Sequence, residues 1–178
     1  MKRSLAMLLI ASSGMGKTTA RLRAVELAQA RKLKVAGVLS RPVYQGQVKT
    51  AIALRDISTG QACILARANH AGEGPRVGIW TFDPASVAWG QQVLASLPPC
   101  DLLVIDEIGP LELEVGQGLT NALDALRNAD YRLGLVTLRP ALAGAVAAQL
   151  DGLQVSALML DEQTRDQTPQ IIVSQLCS

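Results

Sequence analysis

One stretch limits what this chain can fold into more than any other: Leu5 to Ala20, LAMLLIASSGMGKTTA. Leu5 to Ile10 is an unbroken apolar run with the length and content of a fully buried strand. It feeds Ala11-Ser12-Ser13-Gly14-Met15-Gly16-Lys17-Thr18, and from Gly16 to Ala30 the pattern turns helical. Strand, glycine-bearing loop and helix in that order are the layout of a phosphate-binding P-loop. Gly14 and Gly16 let successive backbone N–H groups turn inward and form a concave nest for anionic oxygens. The helix adds its N-terminal amides and the positive end of its dipole. Residues Ala11 to Thr19 are thus the candidate nucleotide cradle, with Lys17 reaching the β- and γ-phosphates and the Thr18 hydroxyl ligating Mg²⁺. The strict pattern opens with glycine, where this chain has Ala11. That position starts the loop without wrapping the phosphates, so a small alanine fits.

Along the first helix, Ala20, Ala24, Leu27 and Ala28 fall on one face, and Arg21, Arg23 and Gln29 fall off it. A second strand is expected over Val35 to Leu39. Pro42 to Gln45, Gln47 to Ile57 and Gln61 to Ala66 then read as a small antiparallel meander, punctuated by Gly46 and Thr59-Gly60. Asn69 to Pro75 is a glycine-rich loop with the only histidine, His70, which reads as a solvated side chain. Val77 to Phe82 is a possible strand. Asp83 and Pro84 have the N-cap and first-turn chemistry of a helix that should run to about Leu97, before Pro98-Pro99.

The second informative stretch is Asp101 to Leu113, DLLVIDEIGPLEL. Leu102 to Ile105 is an apolar strand that ends in Asp106-Glu107. Open α/β sheets bind ligands at the carboxyl ends of their strands, so both acids arrive on the P-loop side. Asp106 is placed to hold Mg²⁺ as a Walker B aspartate does, and Glu107 to orient a water behind the γ-phosphate. Unpaired acids are poor packing material, which favours a role in chemistry. Glu112 has two readings: ordering the metal or water shell, or capping a helix that begins near Gln117. Leu119, Leu123 and Leu126 give that helix an apolar stripe. Leu133 to Leu138 is the next strand, and Arg139 emerges at its carboxyl end. It is a candidate for stabilising charge on the transferring phosphoryl group, or a surface arginine ahead of the helix Ala141 to Leu150. A last strand over Leu153 to Leu158 and a helix over Pro169 to Leu176 close the chain, with Thr164-Arg165-Asp166 in the turn between them.

Composition narrows the class. At 178 residues the length fits one domain, and aromatics at 3% force an aliphatic core. A formal charge of +2 gives no electrostatic case for nucleic acid or an anionic membrane as main partner. No apolar run reaches transmembrane length. Met1-Lys2-Arg3 ahead of Leu5 to Ile10 imitates a leader, but the apolar run is too short and cleavage would destroy the loop. Cys63, Cys100 and Cys177 are odd in number and far apart, which reads as free thiols in a cytoplasmic protein. There is no Asn-Lys-x-Asp guanine-reading motif. An acid directly after the Walker B aspartate favours water activation over transfer to a second substrate.

These motifs resemble the THEP family of small P-loop nucleoside-triphosphatases, found in thermophilic microbes and in animals. The likeness is carried by SSGMGKTT at Ser12 to Thr19 and VIDEIGPLEL at Val104 to Leu113. GVLSRPV at Gly37 to Val43, DISTGQACILAR at Asp56 to Arg67, RVGIWTFD at Arg76 to Asp83 and the late Thr164-Arg165-Asp166 follow the same order, so the likeness covers nearly the whole chain. The resemblance implies a RecA-like P-loop NTPase three-layer α/β sandwich, its mostly parallel sheet extended by an antiparallel meander. It implies a hydrolase acting on phosphoric anhydrides, splitting ATP, GTP, CTP and UTP with Mg²⁺ and broad tolerance for the base. Lys17, Thr18, Asp106 and Glu107 would hold the roles above. Thr164 stands where the resemblance leads one to expect asparagine, which leaves the nucleoside contacts of the late turn open. Two other readings remain: a nucleoside or nucleotide kinase, and an NTP-dependent accessory or switch protein with slow hydrolysis.

Overall fold

A computed structural model describes residues 4–176. Met1, Lys2, Arg3 and Cys177 therefore lie outside the described residues. A nine-stranded sheet runs in the order β5-β6-β4-β3-β2-β7-β8-β1-β9. Its parallel part comprises β2 (Val35–Gln45), β7 (Cys100–Glu107), β8 (Tyr131–Leu138), β1 (Leu5–Ile10) and β9 (Gln154–Met159). The antiparallel extension is β3 (Val48–Asp56), β4 (Ala62–Ala68), β5 (Arg76–Val77) and β6 (Trp80–Phe82).

Period-two alternation divides the core between two faces. Ala6, Leu8 and Ile10 of β1 join Leu103 and Ile105 of β7 on one face, with Leu94, Leu126 and Val146 from the helices α2 (Pro84–Ala95), α4 (Ala122–Asn128) and α5 (Ala143–Gln149). Met7 and Leu9 join Leu102 and Val104 on the other, with Ala20 and Ala24 of α1 (Lys17–Ala30) and Ile172 of α6 (Thr168–Ser174). The expected three-layer sandwich is thus present. The core is aliphatic apart from Tyr131, whose hydroxyl donates to the Leu126 carbonyl at 2.6 Å. Burial pushes that phenol up to about 12. No described helix is long and apolar enough to cross a membrane.

Several boundaries differ from expectation. Val35–Leu39 and Pro42–Gln45 are not two strands but one, β2. Its first residues pair in parallel with β7 and the rest pair antiparallel with β3, so a single strand joins the two parts of the sheet. Val77–Phe82 is a hairpin, because Gly78 at φ 58° turns the chain between β5 and β6. The helix expected from Gln117 starts at Ala122, after a short α3 (Pro110–Leu113) and a turn region. Pro140–Leu142 is a 3-10 turn that precedes α5. The Asp83 cap is present, its carboxylate accepting from the Ser86 N–H at 2.7 Å.

The change of partner in β2 depends on Gly37. Its φ is 114°, and a Cβ there would strike the Val104 carbonyl on β7. Gly37→Ala should therefore destabilise by about 2–3 kcal/mol or more, from backbone strain and overpacking together. A lowered urea midpoint measures this, and an unchanged midpoint would remove Gly37 from its role.

Candidate active site

The P-loop joins β1 to α1, and Gly14 (φ 82°) and Gly16 (φ 94°) carry its left-handed bends. Lys17 is the first residue of α1, and its side chain folds back over the loop. Its Nζ donates to the carbonyls of Ala11 at 2.6 Å and Ser12 at 3.1 Å. Burial lowers the Lys17 ammonium below its ordinary value, and the nearby Arg139 and Arg21 add to that, while Glu107 opposes it. A polyphosphate in the loop would reverse this balance by supplying negative charge.

The acids come from β7. Alternation would send Asp106 and Glu107 to opposite faces, yet both line the same cavity. The register against β8 shifts between Ile105 and Glu107, which re-aims the strand's end as a bulge does. Sequence spacing does not reveal this irregularity. Ser12, Ser13, Gly14, Gly16, Lys17, Thr18, Asp106, Glu107 and Arg139 all line that cavity, of about 560 Å³. The remaining loop residues sit elsewhere: Ala11 is buried, Met15 packs on the α1 side of the sheet, and Thr19 is exposed. Arg139 caps the end of β8 and donates from Nε to Glu107 Oε1 at 3.0 Å.

Arg21 departs most from expectation. Its place off the apolar face of α1 predicts solvent exposure, but it is only 3% exposed. Its Nη1 lies 2.5 Å from Asp106 Oδ1 and donates to Thr137 Oγ1 at 2.7 Å. Ser40 Oγ donates to the other Asp106 oxygen. The missed signal was spacing: Arg21 is one turn beyond Lys17, on the side of α1 that faces the acid-bearing strand ends.

Arg21 Nε is buried without a hydrogen-bond partner, whereas Asp106 Oδ1 is held by the ion pair to Arg21 Nη1. The Asp106 carboxylate and the Thr18 hydroxyl line the same cavity, and hard oxygen donors of this kind suit Mg²⁺. Among the described residues no group of three or more His, Cys, Asp or Glu could hold a metal by itself. Mg²⁺ is commonly held by one or two protein ligands, with phosphates and water completing its shell.

Glu112 is used structurally. Its two oxygens accept from the N–H groups of Gly109 at 2.9 Å and Leu119 at 3.2 Å, closing α3 and the turn beyond it. Burial pushes its carboxyl up, against the pull of those two N–H groups. On the far side of the loop, Asp161 Oδ1 accepts from the Thr164 N–H at 2.8 Å and organises the late turn. A Cβ at Gly16 would lie 4.0 Å from Arg165 Cδ, so Arg165 stands over the loop.

A family model described as NTPase matches residues 6–173. The chain belongs to the THEP1 family of nucleoside-triphosphatases. Nucleoside-triphosphatase THEP1 of Thermofilum pendens is 31% identical over 174 residues, covering 96% of this chain and 94% of the relative. The THEP1 of Methanosarcina acetivorans is 29% identical over 166 residues, covering 92% and 91%. The solution structure of a human cancer-related nucleoside triphosphatase superposes with a TM-score of 0.71 at 24% identity, over 97% of this chain and 96% of that one. The crystal structure of THEP1 from the hyperthermophile Aquifex aeolicus gives 0.62 at 18%, over 99% of both. At those identities the two structures establish the shared fold.

Two predictions follow from this THEP1 site. Arg21→Met leaves Asp106 buried without its cation and should cost about 3–5 kcal/mol in EDTA. Adding Mg²⁺ with ADP should restore more of the thermal midpoint in the variant than in the parent, and equal rescue would count against the pairing. Glu112→Gln loses one of the two carboxylate bonds, about 1–2 kcal/mol. The wild-type carboxyl titrates above its ordinary 4.5 when folded, so its contribution to stability is full below that value and fades as pH rises. Denaturant titrations should show the gap between parent and variant narrowing above pH 4.5, and a gap that widens would reverse the assignment.

Proposed function

We propose that this chain hydrolyses nucleoside triphosphates to diphosphate and phosphate, with Mg²⁺ and with little selection for the base. Membership in a nucleoside-triphosphatase family supports the reaction. The observation that carries the site assignment is the meeting of the P-loop, Asp106 and Glu107 in one cavity.

The backbone amides of residues 13–18 and the Lys17 ammonium hold the β- and γ-phosphates. Lys17 is pre-placed, and only exchanges carbonyl acceptors for phosphate oxygens. Thr18 and Asp106 would hold Mg²⁺, which supplies charge neutralisation on the phosphate oxygens when bound. The Glu107 carboxylate accepts a hydrogen bond from the attacking water and fixes its line of approach. Arg139 is exposed and bound to Glu107, so it can turn to the phosphoryl oxygens at small cost and leave Glu107 free for water. Most of the rate enhancement is then positioning and electrostatics. ATP, GTP, CTP and UTP all present the same triphosphate to this machinery. Cys63 carries a free thiol, which suits the cytoplasm as the working compartment.

Phosphate release from the four triphosphates, compared between wild type and Glu107→Gln, tests the proposal. Hydrolysis should fall by about 10² or more in the variant with nucleotide binding retained. Binding without hydrolysis in the wild type would sink it in favour of a missing acceptor or partner.

A further inference from the structure

The cavity, of about 560 Å³, extends in a definite direction. In the order β7-β8-β1-β9, the Asp106–Glu107 end of β7 lies on one side of the P-loop strand and β9 on the other. A triphosphate whose terminal phosphate faces the acids must send its nucleoside toward β9 and the Asp161–Arg165 turn. The cavity instead continues past the acids, to the antiparallel extension. Arg41, Lys49, Ile52, Leu65, Trp80 and Phe82 line this far chamber.

The chemistry of those walls is specific. Ile52, Leu65, Trp80 and Phe82 form an apolar floor from neighbouring strands. Lys49 Nζ stands 4.7 Å from the centre of the Trp80 ring. Neither Arg41 nor Lys49 has an ion-pair partner among the described residues. The nearby acids are already engaged: Asp106 by Arg21, Glu107 by Arg139, and Glu112 by two backbone N–H groups. The chamber therefore presents unneutralised positive charge over a flat aromatic surface. The ladders of the extension are also irregular beside it, between Val43 and Tyr44 and between Ile52 and Ala53. Such irregularities re-aim side chains next to binding sites. Hydrolysis requires one water here and none of this apparatus.

We propose that this chamber binds a second small molecule, a planar organic anion, with its charge between Arg41 and Lys49 and its ring system on Trp80. The inference rests on the reading that a nucleotide's phosphates fill the P-loop. With the nucleoside directed toward β9, both molecules fit at once, and the second lies on the γ-phosphate side, where it governs water access to Glu107.

The test uses the full chain with its P-loop saturated by ADP and Mg²⁺. GMP and naphthalene-1-sulfonate serve as probes in isothermal titration; they share a planar ring system and an anionic group but differ in hydrogen-bonding edges. At least one should bind with 1:1 stoichiometry. Arg41→Gln combined with Lys49→Gln, two exposed positions, should weaken that binding at least tenfold while ADP affinity stays unchanged. Trp80→Leu should weaken it similarly, its thermal midpoint serving as a check on folding. Binding of neither probe to ADP-loaded protein, or binding indifferent to the double variant, overturns the inference. Failure of ADP itself to bind would instead overturn the nucleotide reading of the P-loop, so the two failures are distinct.

Discussion

The contact on which the site depends is the buried pairing of Arg21 with Asp106. It ties α1 to β7, and through Thr137 and Ser40 it also ties in β8 and β2. Four elements are thus tied together at the carboxyl edge of the sheet by one cluster of charge. Such a pair is not a cheap source of stability, since two ions must leave water before their attraction acts. Its value lies in what it fixes. With Asp106 pinned, the irregular end of β7 is set, and Glu107 and the α3 turn have a fixed origin.

The rest of the site follows the same economy of internal partners. Lys17 leans on the Ala11 and Ser12 carbonyls, Glu107 on Arg139, and Glu112 on two N–H groups. Each of these three charges is matched by a group that a nucleotide, a water or a cation can replace. The geometry is therefore preorganised, and binding exchanges partners instead of assembling a site from loose side chains.

What the sequence disclosed was local. The P-loop, the Asp83 cap and the acids after Leu102–Ile105 are each written in a few adjacent residues, and periodicity locates them. Arg21 was hidden because helix faces were judged by polarity. A buried arginine next to a carboxylate on another strand belongs to tertiary structure alone. The continuity of β2 was hidden for a similar reason: Pro42 looks like a boundary, yet proline is tolerated where the strand has changed partners. Glu112 was legible as a residue with two possible employments, and the placement of Gly109 and Leu119 shows the capping one. The re-aiming at Asp106 has no sequence signal, because a shift of register depends on both strands.

The antiparallel extension gives the fold its character. The P-loop, Asp106 and Glu107, the residues proposed to bind and hydrolyse a triphosphate, all come from the parallel half of the sheet. Evolution of that half alone would leave the γ-phosphate open to bulk water on the side of β2. Here β2 runs on past the parallel sheet and brings β3, β4 and β6 to that side, lining it with apolar side chains and two cations. Excluding bulk water strengthens every electrostatic contact inside the cavity. The extension also sets what may approach the terminal phosphate besides water. The proposed nucleotide site and the proposed chamber would together put specificity on two opposite sides of one loop, the nucleoside beside β9 and whatever answers to the γ-phosphate beside β2.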